Sequence, residues 1–159
     1  MAFGMGSAVT FVMTIAGTLT FLINKYVLLP WSLGFLQYIT FIFVIAGTVQ
    51  FVEMYVRKYF ERLHESFGVF LPMITTNCAI LGTCLFIWLK GYTTLVQAMV
   101  FSVFSGLGFT LAIVVMAGIR EELEFADVPQ PFRGAAITLF IAAVLSMAFM
   151  GFAGIGSTP

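Results

Sequence analysis

Apolar positions in this chain do not alternate with polar ones; they run on without interruption by charge. Charge-free stretches occupy residues 1–24, 26–52, 66–89, 91–119 and 134–159, and every charged residue, with the single histidine His64, falls between them. A transmembrane helix needs roughly 20 predominantly apolar residues to cross a hydrocarbon core of about 30 Å, and each stretch is longer than that. The pattern predicts five spans, at about 4–28, 34–56, 68–88, 93–119 and 132–154. Transmembrane strands are excluded, because a barrel alternates lipid-facing and lumen-facing residues in segments of roughly ten. The expected fold is all-α, a polytopic membrane protein forming one integral membrane domain over 1–159.

Composition sharpens this. Of 159 residues 61% are hydrophobic and 9% charged, whereas a water-soluble domain is roughly a quarter charged. Seven Lys and Arg balance seven Asp and Glu, so no basic face exists to hold nucleic acid. Two cysteines in a chain this long are no disulfide scaffold. The first stretch lacks the positively charged start and short apolar core of a secretory signal. Arg57, Lys58, Arg62, Arg120 and Arg133 lie at one set of connections and only Lys25 and Lys90 at the other. The positive-inside bias then puts residue 1 in the cytoplasm and the C-terminus outside. Trp31, Trp88 and Tyr92 at the outer connections suit the membrane interface.

An internal repeat is visible. Gly4-Met5-Gly6 in the first span matches Gly106-Leu107-Gly108 in the fourth at an offset of 102, and Ile39-Thr40 in the second matches Ile137-Thr138 in the fifth at 98. A displacement of three spans inverts the direction of crossing, which makes this an inverted-topology repeat, an arrangement transport proteins build around a midplane site. Span three has no mate, so the expectation is a six-helix protein from which the first helix is missing.

That third span carries the polar chemistry. Pro72 is expected to break it at its middle, and Thr75, Thr76 and Asn77 form a polar run just before Cys78, the central residue of 68–88. Broken backbone is tolerated in hydrocarbon only where protein or a cavity covers it. Two readings stand: a ligand and ion site at the repeat axis, or a small packing residue at Cys78 beside threonines bonded to the backbone one turn back. Cys84 lies about 120° around the helix and about 9 Å along it from Cys78, a packing position. An iron–sulfur cluster takes four thiolates as a rule, so one cysteine requires companions from elsewhere.

Other charged positions read as ordinary. Glu53 and Arg57 have i,i+4 spacing for an ion pair. Glu121, Glu122, Glu124 and Asp127 read as a solvated acidic loop with a second use in docking a cytoplasmic partner. Pro131 suits the start of span five, and His64 faces solvent or the interface. Ser102-x-x-x-Gly106 and Ala142-x-x-x-Ser146 permit close helix contact. No Gly-x-x-x-x-Gly-Lys phosphate loop and no Ser/His/Asp set occurs, so no flavin or nucleotide site is expected in this chain.

At the third span the chain resembles a known family. Phe70-Leu71-Pro72 with Thr75-Thr76-Asn77-Cys78-Ala79, Val49-Gln50-Phe51-Val52-Glu53-Met54 leading to Val56-Arg57-Lys58, Ala126-Asp127-Val128-Pro129-Gln130-Pro131-Phe132-Arg133-Gly134, and Met147-Ala148-Phe149-Met150-Gly151-Phe152 are similar to the A-type membrane subunits of the Rnf electron-transport complex. The related D- and E-type subunits of the sodium-translocating NADH:quinone reductase share the fold. The resemblance implies two inverted halves, a location in the bacterial or archaeal cytoplasmic membrane, and other Rnf subunits as partners, above all a homologous subunit of opposite topology. It implies an iron–sulfur cluster, of the 2Fe-2S kind, shared with that partner and ligated here by Cys78, relaying electrons of a ferredoxin/NAD oxidoreductase across the bilayer. The family's other cysteine lies on a first helix that this sequence does not contain. Thr75, Thr76 and Asn77 become a candidate ion path. The competing reading is a metal-free secondary transporter or scaffold subunit with Cys78 purely structural.

Overall fold

In hydrocarbon every backbone N–H and C=O must find its partner within the protein, and a helix does this segment by segment. The computed structural model describes residues 2–31, 34–59 and 71–155, and their regular elements are all helical. The helices are α1 (Ala2–Ile23), α2 (Gln37–Tyr59), α3 (Leu71–Thr75), α4 (Cys78–Leu89), α5 (Leu95–Glu124) and α6 (Ala135–Ala153). Five stretches are long and apolar enough to cross a membrane: Ala2–Leu28, Gly34–Tyr55, Pro72–Leu89, Leu95–Glu124 and Ala135–Ala153. Arg62, His64 and the side chain of Trp31 lie outside the described residues.

The chain divides into two compact units, Met1–Leu111 and Ala112–Pro159. In the first, α1 is the central element. Its Val9, Val12, Met13 and Ala16 recur at three- and four-residue spacing, so they share a face. That face packs with Phe41, Ile45 and Val49 of α2, Ile74 of α3, and Ile80 and Cys84 of α4. Phe21, Ile87 and Ala98 form a second cluster toward the Lys90 end. In the second unit α6 buries none of its residues.

Threonines follow one rule. Thr10, Thr14, Thr18, Thr40, Thr48, Thr83, Thr110 and Thr138 each donate to the carbonyl four residues back. A hydroxyl thereby enters an apolar helix without leaving an unsatisfied donor.

Several boundaries differ from the expectation. Pro72 does not break span three; it is the second residue of α3, in the first turn, where the missing N–H has no intrahelical partner to lose. The break falls four residues later, at Thr76 and Asn77. Span four continues to Glu124, so Glu121, Glu122 and Glu124 extend a helix instead of forming a loop; charged residues propagate a helix well once clear of lipid. Pro131 lies in a 3-10 turn, Gln130–Phe132, and α6 begins only after Gly134, whose φ of 94° requires glycine. Among the described residues no ion pair links Glu53 to Arg57, one turn apart on α2. Span one departs from regular α-geometry at its end, where Asn24–Leu28 is a π-turn closed by the Leu29 N–H donating to the Asn24 carbonyl.

Candidate functional site

The break between α3 and α4 is built by polar side chains turned onto the backbone. The Asn77 N–H donates to the Ile74 carbonyl at 3.1 Å, which ends α3. Asn77 then takes extended dihedrals, φ −71° and ψ 113°, and its Oδ1 accepts from the Ala79 N–H at 3.0 Å. This is a helix N-cap, one of the residue's preferred positions. The Thr76 hydroxyl donates back to the Met73 carbonyl at 3.2 Å. Thr75 and Asn77 are half-buried, and Thr76 is exposed. Both Thr76 and Asn77 therefore act in local capping, whatever further part they take.

Cys78 is the first residue of α4, and its thiol is exposed. From Cys78 to Leu89 the helix rises about 17 Å at 1.5 Å per residue, roughly half of a 30 Å core. The thiol is thus set at mid-depth if Leu89 marks the end of the hydrocarbon.

Cys84 is not a companion to it. Cys84 is buried on the face of α4 turned to α1, where its sulfur lies 3.2 Å from the Thr20 hydroxyl oxygen, whose single proton serves either that sulfur or the Ala16 carbonyl. One turn away the Thr83 hydroxyl points at Met13 Sδ at 3.3 Å. Two hydroxyl–sulfur contacts thus tie α1 to α4 and leave the Cys78 face open. Among the described residues no group of three His, Cys, Asp or Glu could hold a metal ion. A four-thiolate cluster fits this chain only as one ligand of a set completed by another source; the exposed thiol is placed to be that ligand, and nothing among the described residues competes for it.

The Gly/Thr register between α1 and α5 escapes a reading of motifs. Ser102-x-x-x-Gly106 lies on the buried Ala98, Ser102, Gly106 and Thr110 face of α5. A Cβ on Gly106 would sit 2.9 Å from the Thr10 Cα, and one on Gly6 2.9 Å from the Thr110 Cβ. Gly6-x-x-x-Thr10 and Gly106-x-x-x-Thr110 therefore pack each glycine under the other's threonine, a reciprocal contact at an offset of 100, two less than the Gly-Met-Gly match suggests. The signal is present in the sequence as two Gly-x-x-x-Thr spacings.

Comparison with known proteins bears on the whole chain. The family described as "Rnf-Nqr subunit, membrane protein" matches residues 1–156. A protein of Syntrophotalea carbinolica, named as the A-type subunit of an ion-translocating oxidoreductase complex, is 51% identical over 154 residues, covering 97% of this chain and 79% of that relative. Proteins of the same name from Serratia proteamaculans and Shewanella oneidensis are 49% and 45% identical, again over 97% of this chain and 79% and 80% of theirs.

Proposed function

The chain belongs to the Rnf-Nqr family of membrane-protein subunits, and from that premise we propose that it works as a membrane subunit of an ion-translocating oxidoreductase complex, with Cys78 as its redox-centre ligand. The carrying observation is the exposed thiol at the start of α4, next to a capped break, with no group of three candidate metal ligands among the described residues. An iron–sulfur cluster held there, of the 2Fe-2S kind, supplies one-electron chemistry. The remaining thiolates come from outside the described residues, and a homologous membrane subunit of opposite topology is the natural source, because a midplane position is reached equally from both orientations.

This chain's own residues do three things in that reading. Cys78 presents its exposed sulfur at the first turn of α4. Asn77 fixes the direction of that turn through its cap to Ala79. The Thr20–Cys84 and Thr83–Met13 contacts hold α4 against α1, so the thiol's face is turned away from the unit's core. The charge distribution supports a cytoplasmic residue 1, in the cytoplasmic membrane of a bacterium or archaeon, with the Lys25 and Lys90 ends outside.

Thr75, Thr76 and Asn77 provide oxygens of the kind small hard cations take, so a coupling ion passing the break is the finer part of the reading. The test of the cluster assignment is chemical. Complex purified with Cys78→Ser is expected to lose iron and acid-labile sulfide in equal amounts relative to wild type, with subunit content unchanged. Full retention of both assigns Cys78 to packing and the chain to the metal-free alternative.

A further inference from the structure

At the far end of α4 from the break, a cavity of about 500 Å³ opens between the end of α1, its π-turn, α2 and the turn that follows α4. It lies wholly in the Met1–Leu111 unit. Its walls are apolar, with Phe21, Leu29, Phe41 and Ile87, but its rim is not. Lys25 stands there with its Nζ donating to the Thr93 carbonyl at 3.3 Å and lying 5.8 Å from the centre of the Phe21 ring. Gly91, at a φ of 61°, allows the turn that brings Thr93 to it. Among the described residues no carboxylate lines the cavity. An ammonium carries three donors, so two of the three are left without an acceptor among the described residues.

A second donor nearby is unspent. Gln37 of α2 is buried beside the cavity and not in its lining, and its Nε2 has no hydrogen-bond partner among the described residues. It lies one turn before Phe41 on α2, and i,i+4 spacing puts the two on the same face. An unsatisfied buried amide is costly, and a structure normally provides what it lacks. Asn24 of the π-turn adds a further amide to the rim.

We propose that this cavity seats the phosphate headgroup of an anionic phospholipid, with Lys25 as the charge that selects it. The depth is right: Trp88 and Tyr92 line the cavity, and such aromatics collect where hydrocarbon meets headgroups. The composition is right as well. The Lys25 ammonium and the Asn24 amide in the lining offer donors to the phosphate oxygens, and the aromatic and aliphatic lining residues suit acyl chain. A free inorganic anion would satisfy the rim alone.

The test uses the intact complex in detergent, titrated with phosphatidylglycerol, phosphatidylcholine or inorganic phosphate while its thermal midpoint is read. Phosphatidylglycerol is expected to raise the midpoint saturably and phosphatidylcholine is not. Lys25→Gln shifts the half-saturating lipid concentration upward about fivefold, the worth of one cation near an anionic surface, and Lys25→Arg restores it. Lys90→Gln, a cation at the same end but outside the lining, keeps the wild-type value. Equal stabilisation by both lipids, or an unchanged half-saturation in Lys25→Gln, overturns the proposal. Loss of equal size in Lys90→Gln also overturns it, in favour of bulk surface charge. Reproduction of the full rise by inorganic phosphate overturns the lipid assignment. Phosphatidylglycerol measured in the purified wild type and depleted in Lys25→Gln supports it by a readout independent of unfolding.

Discussion

The hydroxyls of Thr10 and Thr110 meet at 3.1 Å, joining positions 100 residues apart in sequence at the crossing of α1 and α5. Each hydroxyl oxygen also lies within hydrogen-bond distance of the carbonyl of a glycine four residues back on its own helix, Thr10 to Gly6 at 2.8 Å and Thr110 to Gly106 at 2.9 Å, so that when one hydroxyl turns its single proton across the crossing the other keeps its own on its glycine carbonyl. The arrangement reads the same from either helix. That is the signature of a local twofold relation between the two Gly-x-x-x-Thr segments. Small residues at such a crossing let the backbones approach where lipid offers no hydrophobic force to drive them together.

Glycine at 106 is therefore required, and glycine at 108 is not. A methyl on Gly106 meets the Thr10 backbone, whereas one on Gly108 meets nothing within 4 Å. Gly106→Ala is expected to destabilise by about 1–3 kcal/mol through overpacking. Gly108→Ala is expected to be neutral or to stabilise by up to about 1 kcal/mol through helix propensity. Thermal unfolding of the two variants in the purified complex measures the difference, and equal midpoints would contradict the crossing.

The hydroxyl pair itself is worth little, as interhelical hydrogen bonds in membranes usually are. A double-mutant cycle of Thr10→Val and Thr110→Val is expected to give a coupling of about 0.6 kcal/mol. A value of zero would mean that the glycines hold the crossing without the threonines.

Loss of the Asn77 cap should be felt at the break and nowhere else. Asn77→Ala removes the acceptor for the Ala79 N–H and is expected to cost about 1 kcal/mol. Asn77→Ser, which can cap the same way, recovers most of it. Hydrogen exchange at the first turn of α4 reports the effect directly: faster exchange there in Asn77→Ala, with α1 unchanged, is the expected pattern.

Thr76 separates capping from ion passage. Thr76→Val keeps the volume and loses the hydroxyl bonded to the Met73 carbonyl. If the break conducts the coupling ion, electron transfer in reconstituted vesicles continues at wild-type rate while ion uptake per electron falls severalfold. Unchanged uptake assigns the hydroxyl to capping alone.

Much of this was open to a reader of the sequence, for a simple reason: lipid excludes charge. Five apolar helices follow from where Lys25, Glu53, Lys90, Arg120 and Arg133 stand, and the interruption in the third follows from three polar residues in a row before Cys78. The same reasoning misplaced the agent of the break. Pro72 looked disruptive, but a proline two residues into a helix disrupts nothing, and Asn77 does the work by capping the next one. The π-turn at Asn24–Leu28 is not legible in the sequence, since Asn24 and Lys25 read equally well as the ordinary polar end of an apolar helix. The unspent amide of Gln37 and the Thr20–Cys84 contact depend on which faces meet, a matter of packing that periodicity in an all-apolar helix does not resolve. Helices this uniformly hydrophobic carry little amphipathic signal, and their interior face is marked by small residues instead.

The central claim is that the Cys78 sulfur is bonded to iron in the assembled complex while Cys84 is not. Electron paramagnetic resonance of the dithionite-reduced complex tests it most directly, comparing wild type, Cys78→Ser and Cys84→Ser at equal subunit content. The expected result is an iron–sulfur signal that disappears or changes its g-values in Cys78→Ser and is unaltered in Cys84→Ser. An identical spectrum in wild type and Cys78→Ser, with every line retained, would contradict the account.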